Sequence, residues 1–301
     1  MTASMRGAAA RARAGAAGLV VRAGRPEDAA ACGSICYHGF KTIAERHSFP
    51  PDFPSVEAAQ GLMADLLGRK RAHAFVAEVD GRVVGSNFLW GPLPVGGVGP
   101  ITIDPEAQNA GVGRALMEAV LDCARVEGFV GVRLVQAGYH TRSLSLYTKL
   151  GFDVREPLAC IQGAPLGIAL PGHRVRPATK TDLAACDRLH SAIHGFARSA
   201  DLGEAIAQGG AMVVERNGRI TGYTTGIGFF GHSAGESTDD LKALIGAATA
   251  FPGPGFLLPS RNSELFRWCL AQGLRVVQPM TLMSLGLYNE PKGAFLPSIL
   301  Y

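Results

Sequence analysis

Apolar and polar residues alternate along two short stretches of the chain and recur with helical spacing along several longer ones. Residues 74–85 (AFVAEVDGRVVG) and 211–222 (AMVVERNGRITG) set alternating apolar positions around Asp80-Gly81 in one case and Asn217-Gly218 in the other. Both dipeptides suit the left-handed positions of a type I′ turn, so each stretch predicts a β-hairpin. Residues 99–105 (GPITIDP) predict a short buried strand. Next, Leu116, Met117, Val120, Leu121 and Ala124 share one face of a helix that Gly128 ends, and residues 130–136 (VGVRLVQ) predict another strand. Residues 141–150 predict a second amphipathic helix with Gly151 at its C-cap, and Phe152 opens a further strand.

The hairpins are one of two places where the chain matches itself. Residues 21–32 (VRAGRPEDAAAC) and 175–186 (VRPATKTDLAAC) share Val, Arg, Asp, Ala and Cys in register. Each reads as a strand entering a helix, with Asp28 or Asp182 near the helix start, where an acid suits the dipole. Similarity in two separate places predicts one α+β plan used twice. On this plan residues 1–18 are a disordered tail, 19–160 a first domain, 161–173 a linker and 174–301 a second domain.

Composition agrees with two folded domains. The 301 residues are 47% hydrophobic and only 18% charged, which excludes a disordered or nucleic-acid-coating chain. No apolar run approaches the ~18 residues of a membrane span. The net charge is +4, and Arg6, Arg11, Arg13 and Arg22 stand in an opening segment without acids. The rest is balanced and offers nucleic acid no basic surface. The opening segment lacks the apolar stretch of a signal peptide and fits a disordered tail. The 6 cysteines contain no pair of Cys-x-x-Cys motifs, so no structural zinc is expected. They fit a reduced, cytoplasmic protein, with Cys32 and Cys36 able to share a helix face. The apolar end from Phe295 to Tyr301 should dock onto a neighbour.

The chemistry concentrates between the predicted strand at 99–105 and the helix after it. Gln108, Asn109, Ala110, Gly111, Val112, Gly113 and Arg114 form a turn leading straight into the helix. The first amides of a helix have no internal partner and carry the positive end of the dipole. Glycines there let a phosphate approach the backbone closely.

The run Ile101-Thr102-Ile103-Asp104-Pro105, then Gln-x-x-Gly-x-Gly at 108–113, then Leu146-Tyr147-Thr148-Lys149-Leu150-Gly151-Phe152 resembles the GNAT superfamily of acyl-CoA-dependent N-acyltransferases. The resemblance is close over about 21–160 and weaker over 174–285, so the whole is similar to a tandem arrangement with one intact and one degenerate copy. It implies an α+β fold of two GNAT-like domains, each a central twisted mixed β-sheet flanked by helices. It also implies acetyl-CoA as acyl-donor substrate, with no metal. Backbone groups of Ile101, Thr102 and Ile103 would lie along pantetheine and polarise the thioester carbonyl. Amides from Gln108 through Arg114 would hold the pyrophosphate, with the Arg114 charge added, and Tyr147 would serve the departing CoA thiolate as acid or hydrogen-bond donor. Such a thiolate has a pKa near ~8.5, within reach of a phenol not strongly perturbed.

Two departures stand out. His140 occupies the position where the family often has Asn, as a cofactor contact or a base. In the second copy no Gln-x-x-Gly-x-Gly precedes the helix at 238–248, Cys269 stands in place of Tyr147, and Asn262 falls at the Asn position. The acceptor side is expected in the segment after the first helix, which carries His38, Phe40, His47, Phe49, Asp52 and Phe53 among prolines. His47, Asp52, His38 and His140 are the candidate bases; Asn87 and Trp90 are candidates for the cleft lining. The expected reaction is direct acetyl transfer to a primary amine of a small molecule, by a monomer or homodimer that uses neither nucleic acid nor membrane. The alternative is a non-catalytic acyl-CoA-binding regulatory protein.

Overall fold

The computed structural model describes residues 18–300. The expected tail, apart from Gly18, lies outside the described residues, as does Tyr301. In chain order a first series comprises β1 (Leu19–Ala23), α1 (Ala29–Arg46), α2 (Val56–Gly68), β2 (Ala72–Val79), β3 (Arg82–Trp90), β4 (Val95–Val98), β5 (Thr102–Ile103), α3 (Val112–Glu127), β6 (Gly131–Ala137), α4 (Thr141–Lys149) and β7 (Asp153–Gln162). A second comprises β8 (Arg174–Pro177), α5 (Leu183–His194), α6 (Ser199–Ala207), β9 (Met212–Arg216), β10 (Arg219–Thr224), β11 (Ser233–Gly235), α7 (Thr238–Ala247), β12 (Phe256–Pro259), α8 (Ser263–Ala271) and β13 (Arg275–Gly286), followed by β14 (Ala294–Leu296). Apart from β5, the second series up to β13 repeats the order of the first.

Each predicted hairpin forms for the expected reason. Asp80 and Gly81 hold φ of 52° and 78°, and Asn217 and Gly218 hold 52° and 74°. These are the left-handed pairs that a type I′ turn requires.

One compact unit comprises residues 18–43, Phe53–Trp90 and Val98–Glu127. Its strands β1, β2 and β3 are antiparallel neighbours, and β5 pairs with β3 through Gly85↔Ile103 and Ser86↔Thr102. A Cβ on Gly85 would stand 2.6 Å from the Thr102 carbonyl oxygen, so glycine permits this approach. β5 is shorter than the predicted strand because Pro100 and Pro105 bring no N–H to a ladder. Cys32, Cys36, Ala59, Met63, Leu66, Val76 and Phe88 form one buried cluster. α1 runs on through His38 to Arg46, past the predicted helix end. A Cβ on Gly33 would meet the Gln60 Cα at 2.4 Å, so this glycine lets α1 and α2 pack closely. α3 packs on β2 and β3, burying Val112, Leu116, Met117, Val120 and Ala124. This is the predicted stripe without Leu121, which is half-buried. Full burial of a Leu or Met contributes roughly 1.5–3 kcal/mol, so Leu116 and Met117 hold the start of α3 firmly in place.

The other unit comprises Ala44–Asp52, Gly91–Gly97 and residues 128–300. One of its sheets places β4 parallel to β6, then β13, β7 and β12 in antiparallel succession. The last strand of each series thus lies beside the penultimate strand of the other: β7 pairs with β12, and β13 pairs with β6. β13 is also paired with β7, from Arg275↔Gln162 to Ser284↔Asp153. The other sheet runs β14–β11–β10–β9–β8, all antiparallel. Both sheets and α7 and α8 share one core, including Ile161, Val214, Leu241, Phe256, Leu265, Cys269 and Leu296. The apolar C-terminal segment docks as expected: β14 adds to β11, Ile299 N donates to Phe229 O at 2.8 Å, and Ser298 Oγ donates to Phe230 O at 3.0 Å.

The two self-similar starts carry the same ion-pair lattice. Arg22 donates to both carboxylate oxygens of Asp28 at 2.8 Å and, through Nε, to Glu78 at 2.9 Å. Arg176 does the same with Asp182, at 2.8 and 2.9 Å, and with Glu215 at 2.8 Å. Each aspartate also accepts the backbone N–H three residues earlier, from Arg25 or Thr179. The acids therefore clamp strand to helix as well as meeting the dipole. No helix among the described residues is long and apolar enough to cross a membrane, and no cysteine is in a disulfide.

Candidate active site

The turn before α3 is built by alternating backbone hands. Asp104 starts it: its Oδ1 accepts Glu106 N at 3.0 Å, while its Oδ2 takes Arg82 Nη1 at 2.8 Å. Asn109 and Gly111 then adopt φ of 71° and 82° on either side of Ala110. Such alternation turns successive amides toward one concavity. The first hydrogen bond of the helix is Ala115 N to Gly111 O at 3.0 Å, so the amides of Val112, Gly113 and Arg114 stand ahead of the ladder. Asn109, Ala110, Gly111 and Arg114 are exposed, and Gln108 is half-buried. A Cβ on Gly111 would meet nothing within 4 Å, so the surface there is open to a ligand. Arg114 lies only 3.5 Å from Glu118 in an exposed pair that holds it weakly. Of the strand residues expected to flank pantetheine, Thr102 is buried and Ile101 and Ile103 are half-buried. Asn87, a candidate for the cleft lining, is fully buried instead: its Oδ1 accepts Phe88 N at 2.9 Å and its Nδ2 faces Met117 Sδ at 3.3 Å. Trp90 packs against the cluster around Met63.

Tyr147 sits near the end of α4 with 5% of its surface exposed. Gly151 holds φ of 95° there, and Phe152 N donates back to Tyr147 O at 3.0 Å, which fixes the backbone of the tyrosine. Burial pushes the phenol up to about 12, against a hydrogen bond with Ser143 that lowers it. The expectation of an unperturbed phenol is thus corrected: the helix end that positions Tyr147 also desolvates it. Ser143 was not among the predicted residues. It stands four residues before Tyr147 and three after His140, a spacing that puts all three on one side of the first turns of α4. Its Oγ lies 2.7 Å from His140 Nδ1. His140 is half-buried and precedes the helix directly. Burial first, then the charges of Arg142, His47 and Arg46, lower its pKa to about 4, so it is neutral near pH 7.

The structure also brings His47 and Asp52 to one aromatic residue, Tyr139. The His47 ring lies 5.3 Å from that of Tyr139, and Phe49 stacks on it at 4.3 Å. Tyr139 Oη donates to Gln278 Oε1 at 3.3 Å, and Gln278 Nε2 donates to Asp52 Oδ1 at 3.1 Å. Burial raises the Asp52 carboxyl above the usual range, opposed by the Gln278 bond. Gln278 belongs to β13, and no local signal connects it with Asp52. His38 lies on α1 with its ring 5.2 Å from that of Tyr37. Elsewhere, His73, Cys123 and Glu127 offer ligand atoms within 4.8 Å of one another. Burial pushes the Cys123 thiol up to about 11, so it is protonated at neutral pH.

The corresponding positions of the second series are occupied by the protein itself. Ser237 N and Oγ both donate to Asp240 Oδ2, at 2.9 and 2.6 Å, at the start of α7. Asp239 and Asp240 bring two acids into that first turn. Cys269 is fully buried, and burial pushes its thiol up to about 12. Asn262 caps α8 by accepting Leu265 N at 3.1 Å.

The profile of the Acetyltransferase (GNAT) family matches residues 40–152. Mycothiol acetyltransferases of Saccharomonospora viridis and Thermomonospora curvata are 37% identical over 92 residues and 39% identical over 84, each match covering 27% of this chain. The matches cover 30% and 28% of those proteins, so the chain spans less than a third of their length. A glucosamine 6-phosphate N-acetyltransferase of Trypanosoma brucei brucei is 32% identical over 117 residues, 35% of this chain and 75% of that protein. Among solved structures, a Pyrococcus horikoshii protein assigned as an acetyltransferase superimposes with a TM-score of 0.70 at 14% identity, over 96% of this chain and 95% of its own. A GCN5-related N-acetyltransferase from Sphaerobacter thermophilus gives 0.60 at 16% identity, over 92% and 98%. These two likenesses speak for the fold: mixed α+β, with a mostly antiparallel twisted sheet flanked by helices and a second sheet in the C-terminal part. The family profile takes in both the Gln108–Arg114 turn and Tyr147, and the trypanosomal protein is matched over three quarters of its length; the chain belongs to the acetyltransferase (GNAT) family.

Proposed function

We propose that the chain transfers an acetyl group from acetyl-CoA to a primary amine of a small molecule by direct attack. The observation that carries this reading is the exposed turn at Asn109–Gly111, whose left-handed residues gather amides at the positive end of α3. Acetyl-CoA supplies the activated acyl group. The amides from Gln108 to Arg114 hold its pyrophosphate, Arg114 adds a charge, and the backbone of Ile101, Thr102 and Ile103 orients the thioester and polarises its carbonyl. The amine attacks after giving up a proton. Asp52 is favoured as the group that takes it, because its raised proton affinity brings it nearer to neutral pH than an exposed carboxylate; His47, His38 and His140 are the other candidates. Tyr147 faces the leaving thiolate. Its phenol, at about 12, lies some three orders of magnitude above a thiol near ~8.5 in proton affinity. Tyr147 therefore acts first as a hydrogen-bond donor.

We further infer that the second series is a degenerate copy of the first, without a cofactor role. The recurring Arg–Asp–Glu lattice and element order support duplication. The Asp240 carboxylate inside the first turn of α7 opposes a phosphate there. The name of the matched trypanosomal relative makes glucosamine 6-phosphate the first acceptor to test. Purified protein is mixed with acetyl-CoA and a panel of amino sugars, amino acids and polyamines. Free thiol and N-acetylated product should appear together, and failure of every amine to accelerate thiol release would refute the reading.

A further inference from the structure

We propose that His73, Cys123 and Glu127 form a zinc site with one coordination position left open to water. The inference goes beyond acetyl transfer and does not depend on it. Along α3 the Cys123 Cα stands roughly 15 Å from that of Gly113 at the helical rise, so the site is separate from the turn proposed for phosphate.

Three observations carry it. The three side chains offer one ligand atom each, and these atoms all lie within 4.8 Å of one another. The fold brings them together from two elements: Cys123 and Glu127 stand one helical turn apart on α3, and His73 lies on β2, against which α3 packs. Their donor atoms are also unspent. Among the described residues, neither His73 nor Glu127 has a side-chain hydrogen bond or ion pair, and the Cys123 thiol has no hydrogen bond. A half-buried imidazole, a half-buried thiol and an exposed carboxylate thus converge on one point without protein partners.

The donor set names the ion. Calcium and magnesium take oxygen ligands, whereas a thiolate with an imidazole suits a borderline ion. Zinc accepts all three donor types at about 2.0–2.3 Å, in a tetrahedron whose ligand atoms stand about 3.3–3.8 Å apart. Closing on the ion therefore needs side-chain shifts of about 1 Å, which the exposed Glu127 can supply by rotation. As the zinc–sulfur bond forms, the S–H bond breaks, its electron pair goes to the metal and its proton leaves to a buffer base. The resulting thiolate and the Glu127 carboxylate balance the two charges of the ion. The bound zinc ties the end of α3 to β2 and covers the thiol. A site assembled from one strand and one helix carries no Cys-x-x-Cys signature, which is why the cysteine spacing alone gives no sign of it.

The test uses the full chain without an affinity tag, stripped of metal by a chelator. Zinc is titrated against a chromophoric chelator, and cobalt(II) is used as a spectroscopic stand-in. The wild type should bind one zinc per chain with a Kd on the order of 1 μM or tighter. Its cobalt form should show a thiolate-to-cobalt charge-transfer band and the visible bands of a four-coordinate ion. Loss of an outer partner of a metal ligand already costs 10–100-fold, so Cys123→Ala and His73→Ala should each weaken zinc by about a hundredfold or more. Glu127→Ala, at an exposed position that folding does not depend on, should weaken it by about tenfold or more. Zinc should raise the thermal midpoint of the wild type and leave that of Cys123→Ala where it was, and excess magnesium should not displace it. Unchanged zinc affinity in Cys123→Ala and Glu127→Ala would overturn the site. So would a cobalt form without the thiolate band, or a band that survives in Cys123→Ala.

Discussion

Two glycines that bracket α3 allow the phosphate turn to be tested against an internal control. Gly111 and Gly128 share a φ of 82°, and a Cβ on either would meet nothing within 4 Å. Alanine at either position therefore costs only the left-handed backbone, roughly 1–2 kcal/mol, with no clash added. The two variants should lose similar stability. They should differ toward acetyl-CoA, because only the Gly111 methyl would stand where the proposed site brings phosphate oxygens to the amides. A hydrogen bond to a charged group is worth about 1.5–3 kcal/mol, so weakening one or two predicts an affinity loss of about tenfold to a hundredfold or more. Gly128→Ala should bind as the wild type does. Gly111→Asn separates strain from bulk, since Asn tolerates the left-handed region better yet still crowds the phosphate. It should be more stable than Gly111→Ala and bind no better. Calorimetric titration gives the affinities and chemical denaturation the stabilities. Equal affinity for acetyl-CoA in the Gly111→Ala and Gly128→Ala proteins would refute the reasoning.

Three further outcomes are expected. Gln278→Leu removes the bond that lowers the Asp52 carboxyl, so an acid limb of kcat/KM governed by Asp52 should move to higher pH; an unmoved limb would exclude Asp52 as the titrating base. Burial keeps His190, His194 and His232 neutral in the native protein, His190 with a pKa lowered to about 4. Their stabilising effect is present above the unfolded value of ~6.5 and is lost as pH falls below it, roughly 1.4 kcal/mol per pH unit for each residue, so denaturation midpoints should drop between pH 7 and 5. His190→Phe should flatten that slope. Asp28 and Asp182 are held below the usual carboxylate range, chiefly by hydrogen bonds from Arg22 and Arg176. Their contribution is present above about pH 4, the unfolded value, and is lost as pH falls through the depressed native value. Asp182→Asn should therefore destabilise at pH 7 and converge with the wild type in strong acid, as read by urea midpoints.

Features set by neighbouring residues were legible in the sequence. The Asp80-Gly81 and Asn217-Gly218 turns, the buried stripe of α3 and the Gly151 cap follow from backbone preference and side-chain spacing, and all appear in the fold. The turn before α3 was legible as a turn because glycine and the helix start lie in one short run. What escaped depends on residues far apart. β4 carries Gly96 and Gly97 after Pro94, residues with no strand signal of their own, and it becomes a strand by pairing with β6. The placement of β13 between β6 and β7 has no local signature, and it is β13 that brings Gln278 to Asp52. The self-occupied start of α7 was half visible: the missing glycines were evident, but the Ser237–Asp240 bonds needed the fold. The shift of the Tyr147 phenol is a consequence of burial, which no motif spells out.

The central claim is that the amides at the start of α3 receive the diphosphate of acetyl-CoA. A crystal structure of the protein grown with acetyl-CoA tests it most directly. The account predicts diphosphate oxygens within about 3 Å of backbone nitrogens between Gln108 and Arg114. Acetyl-CoA bound at the start of α7, or anywhere that leaves those nitrogens untouched, would contradict it.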